Sequence, residues 1–310
     1  MITKLKPALR GLVPLGTVLL LSGCSGLDLL DPRGPVGLEE RNVLLLEFAI
    51  MMCIVVPTIV LTIYYAWKYR ASNTSAEYLP NWSHSNKIEV AIWGIPTLII
   101  FVLGIISYDT THRLDPYRPL SPAVAGTKPA LNVEVVALDW KWMFIYPDQG
   151  IATINQLAIP TNTQISFRIT SDTVMNSFFI PRLGSMIYAM AGMQTQLHLL
   201  ASQSGDYLGE SSQFSGRGFS DMKFRTLAMD DSEFNAWVDK VRASSDTLDS
   251  NDYSKYAAPS EAAPVQYFSH VQPGLFEGII AKYNNGMVID KSTGKVMHMQ
   301  SAMSDMQMKE

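Results

Sequence analysis

The chain has 310 residues, of which 47% are apolar and only 17% are charged. Soluble domains carry about 25% charged residues, so this shortage of charge indicates a protein that contacts a membrane. The formal net charge of -4 argues against nucleic-acid binding, which depends on a basic surface. The two cysteines, Cys24 and Cys53, are too few for a scaffold built on disulfides.

Residues 1–23 predict an export signal. Basic residues precede a short apolar stretch at 11–21, which is too short to cross a bilayer. The stretch ends in Leu-Ser-Gly-Cys, with Cys24 at the cleavage point. This ending resembles the bacterial lipoprotein box, in which the cysteine thiol receives a diacylglyceryl group and becomes the first residue. We expect lipidated Cys24 to open a periplasmic segment at 24–42; the alternative is an ordinary signal followed by a packing cysteine.

Two longer apolar segments, 43–67 and 88–108, each reach the roughly 20 residues that a helix needs to cross a bilayer. Each contains one charged residue, Glu47 in the first and Glu89 in the second. The loop at 68–87 carries three Lys or Arg residues against one Glu, so the positive-inside rule places it in the cytoplasm. The sequence therefore predicts a transmembrane hairpin whose two ends lie on the periplasmic face of a bacterial inner membrane.

Residues 109–130 are rich in proline and predict a linker into an all-β domain at 131–229. That domain contains short β-branched and aromatic runs at close spacing, which is typical of a sandwich or barrel. The runs are 131–137, 139–146, 151–159, 163–170, 174–180, 186–190 and 193–200.

The pattern becomes helical beyond the β-domain, and residues 230–290 predict a helical extension. Its first helix follows an aspartate that can cap it, and its apolar residues share one helix face. These residues are Phe234, Trp237, Val238 and Val241. A polar linker at 243–260 separates this helix from a second one near Pro273, and residues 291–310 predict a disordered, Met-rich tail. The predicted fold class is a membrane-anchored α+β protein with a two-helix hairpin, a β-sandwich and a short helical extension.

Two transmembrane helices followed by an external β-domain resemble subunit II of the haem-copper respiratory oxidases, and the resemblance covers nearly the whole mature chain. It implies that the β-domain is a cupredoxin-like sandwich. In the cytochrome c oxidases of this family, the sandwich holds a binuclear copper centre. The ligands there are a histidine shortly before a proline, followed by Cys-x3-Cys-x3-His-x2-Met. Thiolates and imidazoles are ligands that suit copper.

This chain keeps the frame of that motif and lacks most of its ligands. An amide and a phenyl ring stand where the two histidines belong, serines stand at both thiolate positions, and a glutamine replaces a family glutamate. Only the methionine survives, so the resemblance implies a degenerate copper site and no metal in this chain. The six positions are Asn176, Ser211, Gln213, Ser215, Phe219 and Met222.

The loss of these ligands resembles the quinol oxidase branch, specifically the cytochrome bo-type ubiquinol oxidases. The stretches 139–147, 174–184 and 187–195 are also similar to that branch. The resemblance implies a non-catalytic subunit II of a proton-pumping ubiquinol:O2 oxidoreductase, with no cofactor in this chain and with haems and copper in subunit I. The implied partners are subunits I, III and IV, membrane lipid, and ubiquinol through subunit I. Neither nucleic acid nor cytochrome c is an expected partner.

Glu89 is the candidate for a role in proton movement. Intramembrane carboxylates are costly and often functional. In the family, a glutamate before a tryptophan and a proline of the second helix lies where protons pass into subunit I, and Trp93 and Pro96 match that context. The alternative is an interfacial glutamate that faces lipid headgroups. Glu47 lies close to the outer face, and we interpret it as either interfacial or paired with the other helix. Catalytic residues are not expected in this chain.

Two alternative functions compete with this interpretation. A cytochrome c oxidase subunit with its own copper is opposed by the missing ligands. The second alternative is a copper-handling periplasmic lipoprotein, because thioethers in the tail are soft ligands for Cu(I). The residues that would act in that way are Met297, His298, Met299, Met303, Met306 and Met308.

Overall fold

A computed structural model of the chain describes residues 27–77 and 79–284 and, for the backbone alone, 287–289 and 296–298. The predicted signal segment and Cys24 lie outside the described residues, as do residues 299–310 of the tail. The backbone of β14 (Met287–Ile289) pairs antiparallel with that of β15 (Val296–His298). The tail predicted as disordered therefore contains a short strand at these three residues, where valine favours an extended backbone.

Two long helices form the hairpin: α1 (Pro35–Lys68) and α2 (Asn86–Arg113). By length and composition, both are able to cross a membrane. They contain the predicted spans and extend them outward, because the polar turns beyond the apolar runs remain helical. At 1.5 Å per residue, the 34 residues of α1 make a helix of about 51 Å, so it reaches past the hydrocarbon at one end or both. The linker contains a single helical turn, α3 (Pro122–Ala125).

The β-domain is a sandwich. Its strands are β1 (Leu131–Leu138), β2 (Lys141–Tyr146), β3 (Ile151–Ile154), β4 (Gln156–Pro160), β5 (Gln164–Ser171), β6 (Asn176–Ile180), β7 (Gly184–Ala189), β8 (Thr195–Leu200), β9 (Gly205–Ser211) and β10 (Lys223–Met229). The extension adds α4 (Asp231–Arg242), β11 (Thr247–Leu248), α5 (Ser250–Ala257), β12 (Gln266–Phe268), β13 (His270–Val271) and α6 (Leu275–Ala281).

Within the described residues, one sheet has the order β12-β3-β2-β1-β5-β8 and the other has the order β4-β10-β9-β6-β7. Most neighbours are antiparallel, but β1 pairs parallel with β5, and β4 pairs parallel with β10. A large apolar core fills the space between the sheets. Its centre is a cluster of fully buried rings: Trp142, Phe144, Phe167, Phe178 and Phe224.

The extension covers the outer face of the six-stranded sheet. Side chains of β1, β2 and β3 on that face form a second core with α5, α6 and β12. In α6, Phe276 is only 1% exposed. The predicted sandwich and helical extension are thus confirmed, and the sheet carries a third layer of helices that sequence reasoning did not foresee.

Three predictions about elements were wrong. The pattern of 151–159 predicts one strand, but Asn155 has a φ of 58° and divides it into β3 and β4, which join different sheets. The strands β9 and β10 are not among the predicted runs, because two glycines and two acids interrupt the pattern of β9 and because Lys, Arg and Thr occupy three of the seven positions of β10. The helix α5 lies inside the predicted linker at 243–260 because packing on the sheet, rather than propensity, stabilises it.

The start of α1 is seated on the sandwich. The Gly37 N–H donates to the Leu183 carbonyl at 3.0 Å. A Cβ at Gly34 would overlap the Leu200 carbonyl oxygen, so this close approach requires a glycine. Asp28 also pairs with Arg182 at 2.8 Å. These contacts fix the hairpin relative to the β-domain.

Candidate functional site

The six positions of the degenerate copper motif lie at one end of the five-stranded sheet. Asn176 opens β6, Ser211 ends β9, and the remaining positions lie on the β9–β10 loop. Asn176 is fully buried and Ser211 is 5% exposed. The Ser211 hydroxyl lies 3.3 Å from the Asn176 Oδ1 and also 3.3 Å from the Gln213 carbonyl oxygen, and it can donate to either. The structure therefore brings the first three positions into direct contact.

Ser215 and Met222 form the second contact of this site. The Ser215 hydroxyl lies 3.8 Å from the Met222 sulfur, and Met222 is only 1% exposed. The loop is closed where the Ser211 N–H donates to the Met222 carbonyl at 3.2 Å. Phe219 is directed elsewhere, because its ring packs against Phe214 with the ring centroids 5.5 Å apart.

Trp140 holds the same loop from the other sheet. Its indole N–H donates to the Ser215 carbonyl at 3.1 Å. A Cβ at Gly218 would lie 2.5 Å from the Trp140 ring, so the loop passes closely over the indole. Trp140 itself has a φ of 64°, a conformation that is costly for a bulky residue and that the surrounding contacts must maintain. Trp142, two residues on, belongs to the buried core.

Lys141, between the two tryptophans, was not foreseen as a special residue. It is 5% exposed, and its Nζ donates to the Ala258 carbonyl at 2.7 Å and to the Ser260 hydroxyl at 2.6 Å. Burial lowers the pKa of its amine, and Asp139 opposes the shift. These bonds hold the segment after α5 beside the loop. A lysine in a run of aromatic residues was the only signal available in the sequence.

Asp172 joins the extension to the loop that leads into Asn176. Its side chain is 2% exposed. It accepts hydrogen bonds from Tyr253 at 2.8 Å, from Tyr283 at 2.9 Å and from Lys282 at 2.8 Å. Burial, reinforced by this carboxylate, raises the pKa of Tyr283 to about 12. Sequence reasoning missed this cluster because its members are about 80 to 110 residues apart.

Large apolar side chains surround the site on the outside. They come from the loops before β6, after β7 and after β9, at the same end of the sandwich. The most exposed is Phe214, at 72%. Single exposed apolar residues are ordinary, but a group of them marks an interaction surface. We call this group the apolar end face; it consists of Val174, Met175, Met193 and Phe214.

The structure places Glu89 far along the chain from this site, in the first turn of α2. Its carboxylate pairs with the His84 Nδ1 at 2.7 Å, and both side chains are more than half exposed. Glu47 lies near the other end of the hairpin, 3.5 Å from the Ser107 hydroxyl of α2. In the part of the chain that the structure describes, no group of three or more His, Cys, Asp or Glu residues is placed to hold a metal ion.

Comparisons with known proteins agree with this architecture. Residues 148–227 match the family described as "Cytochrome C oxidase subunit II, periplasmic domain", and residues 242–287 match the "COX Aromatic Rich Motif". The chain is 68% identical over 297 residues to "Ubiquinol oxidase subunit 2" of Acetobacter aceti, covering 96% of this chain and 95% of that protein. It is 50% identical over 300 residues to "Cytochrome bo(3) ubiquinol oxidase subunit 2" of Pseudomonas putida, covering 97% and 92%.

Among solved structures, the periplasmic domain of subunit II of cytochrome oxidase of Bradyrhizobium japonicum aligns with a TM-score of 0.35 at 24% identity, covering 37% of this chain and 94% of that chain. An apolar helical hairpin joined to a cupredoxin-like sandwich defines the class of oxidase subunit II proteins. Given its curated relatives, the chain belongs to the subunit II family of cytochrome bo-type ubiquinol oxidases, which confirms the predicted resemblance. It is a membrane-anchored protein with a periplasmic domain.

Proposed function

We propose that this chain is the non-catalytic subunit II of a proton-pumping ubiquinol:O2 oxidoreductase that ends an aerobic respiratory chain. Its relatives in Acetobacter aceti and Pseudomonas putida carry the name of ubiquinol oxidase subunit 2. One observation carries the proposal. Where cytochrome c oxidases hold two copper ions, the side chains of this protein are in contact with one another, Ser211 with Asn176 and Ser215 with Met222.

These residues do not fit a copper centre. The side chains in contact offer an amide, two hydroxyls and one thioether, whereas copper is held by thiolates and imidazoles in sites of this kind. The Asn176 amide donates to the Val174 carbonyl at 3.0 Å, and the Ser211 hydroxyl has protein acceptors within 3.3 Å. Electrons therefore enter the complex through another subunit. We assign the haems, the copper and the ubiquinol site to subunit I.

The partners in this proposal are subunits I, III and IV. The apolar end face supports a contact with subunit I, because Val174, Met175, Met193 and Phe214 are each more than 40% exposed. Burying such side chains contributes roughly 25 cal/mol per Å² of apolar area. The chain would buttress subunit I through its two helices and cap it on the periplasmic side.

In the membrane, we place both ends of the hairpin in the periplasm, the loop at 68–87 in the cytoplasm, and a diacylglyceryl group on Cys24. The basic loop and the Leu-Ser-Gly-Cys ending support this arrangement. Glu89 then lies at the cytoplasmic start of α2, where its exposed carboxylate beside His84 is available to take up protons for subunit I.

The first test is to purify the complex through a tag on this chain. Oxygen consumption is measured with ubiquinol and with reduced cytochrome c, and haem and copper are quantified. We expect haem and activity with ubiquinol alone. Activity with cytochrome c would show that the copper-loop assignment is wrong. A haem-free preparation that binds Cu(I) would favour the copper-handling lipoprotein instead.

The role of Glu89 is tested by Glu89→Gln. The matched control is Glu77→Gln, which lies in the loop before α2. Both substitutions remove one exposed carboxylate at the cytoplasmic end of the hairpin. We expect Glu89→Gln to slow ubiquinol oxidation and proton uptake while haem content stays normal, and Glu77→Gln to change neither. Equal turnover in the two variants would make Glu89 an interfacial residue.

A further inference from the structure

A groove of about 580 Å³ lies between the outer ends of α1 and α2. Its lower part is lined by Val43, Leu46 and Ile106, and its upper part by Glu39, Asp109 and Arg113. The apolar run of the first span begins at Val43, so the lower part lies at the depth of the lipid hydrocarbon. The upper residues lie about one to two helical turns further out, at the depth of the headgroups. The groove thus has the polarity profile of a phospholipid.

The charges at the mouth of the groove define what headgroup it suits. Arg113 pairs with Glu39 through its Nη2 and with Asp109 through its Nε at 3.2 Å. Two carboxylates and one guanidinium sum to a local charge of -1. A guanidinium has five N–H donors, so these two contacts leave several for a phosphate, and each carboxylate keeps acceptor sites for an ammonium group. All three side chains are at least 36% exposed and accessible from the groove.

We propose that this groove binds a phospholipid with a zwitterionic amine headgroup, such as phosphatidylethanolamine. An acyl chain would lie between the two helices, the phosphate would contact Arg113, and the ammonium would contact Asp109 and Glu39. The negative local charge disfavours anionic lipids. The inference rests on the membrane orientation that belongs to the proposed function, which puts this end of the hairpin at the periplasmic surface.

The experiment uses the purified oxidase complex in detergent. It is stripped of lipid and offered dioleoyl-phosphatidylethanolamine or dioleoyl-phosphatidylglycerol, and native mass spectrometry counts the lipids retained on this chain. We expect the ethanolamine lipid to be preferred by about tenfold, the ratio that corresponds to one charge-assisted contact. Arg113→Gln should weaken its retention by a similar factor. Arg118→Gln, which removes an exposed arginine outside the groove, should leave retention unchanged.

A charge-reversal variant keeps the proposal testable if Arg113→Gln fails to fold. Glu39→Gln combined with Asp109→Asn changes the local charge from -1 to +1 and should transfer the preference to phosphatidylglycerol. Equal retention of both lipids in every variant would contradict the proposed lipid site. A cross-link between the groove and another subunit would also contradict it, because that subunit would then occupy the groove. Ubiquinol oxidation is measured on the same samples. Activity without lipid preference would refute the groove alone, whereas a haem-free, inactive preparation would refute the proposed function.

Discussion

The Lys141 amine shows how one side chain couples the sandwich to the extension. Every residue of its strand β2 is buried, and its two acceptors belong to the segment after α5. Burial lowers its pKa, so at high pH the folded chain holds fewer protons at this site than the unfolded chain does. The free energy of unfolding should therefore rise with pH between the lowered pKa of Lys141 and the unfolded value of about 10.4.

Lys141→Met tests this sign. The variant should lack the rise, and it should be less stable by about 1–3 kcal/mol near neutral pH because the Ala258 and Ser260 oxygens lose their donor. The measurement is the unfolding free energy of the wild type and the variant between neutral and alkaline pH, compared as a difference. Lys223→Met, at an exposed position of β10, should keep the wild-type pH dependence. If the unfolding free energy of the wild type and of Lys141→Met changed equally with pH, the lowered pKa of Lys141 would not be the cause of the rise.

At the scale of elements, the contact between the start of α1 and the sandwich depends on Gly34, which has no side chain. Gly34→Ala places a methyl group on the Leu200 carbonyl oxygen, and backbone on both sides leaves it no room. We expect a loss of about 1–3 kcal/mol, as for other overpacked contacts. Thermal unfolding of the chain in detergent gives the value. Gly104→Ala of α2 is the matched control, since nothing in the described chain lies within 4 Å of its added methyl group. An equal loss of stability in the two variants would show that Gly34 does not pack tightly against the sandwich.

Some elements could be predicted from the sequence and others could not. The two helices of the hairpin follow from the length of their apolar runs, and α4 follows from its spacing and from the Asp230 cap, whose carboxylate accepts the Glu233 N–H at 2.8 Å. The strand β9 contains two glycines and two acids, so its place depends on its neighbours β6 and β10 rather than on its own pattern. The sequence pattern of α5 is equally uninformative, and the helix is stabilised by packing on the sheet face that it covers.

The extension buries one phenylalanine of the chain, and the effect of removing it can be compared with that of removing an exposed phenylalanine. Phe276 of α6 is 1% exposed, whereas Phe214 of the β9–β10 loop is 72% exposed. Phe276→Ala should cost about 3–5 kcal/mol because it opens a cavity in the outer core, and Phe214→Ala should stay within about 0.5 kcal/mol of the wild type. The measurement is the unfolding free energy of each variant, obtained by chemical denaturation. Similar losses in both would mean that Phe214 packs more firmly than its exposure indicates.

At the scale of the whole molecule, the degenerate motif and the family resemblance were accessible from the sequence, but the contacts that replace the ligands were not. The sequence places Asn176 and Ser211 35 residues apart, and only the pairing of β6 with β9 brings them together. The same topology collects residues of three loops into the apolar end face. Long-range pairing of this kind leaves no local pattern, so the apolar end face became visible only in the folded chain.

The apolar end face yields the last prediction, because it separates folding from assembly. Phe214→Glu places a charge at the most exposed position of that face, where burial against a partner would cost several kcal/mol without a counter-ion. The chain should fold with unchanged stability, yet the fraction that co-purifies with haem should fall sharply. Lys223→Glu, at an exposed position of β10, provides a control that also introduces an acid. Normal haem recovery with Phe214→Glu would move the contact with subunit I to another surface, and the two helices would then carry the assembly alone.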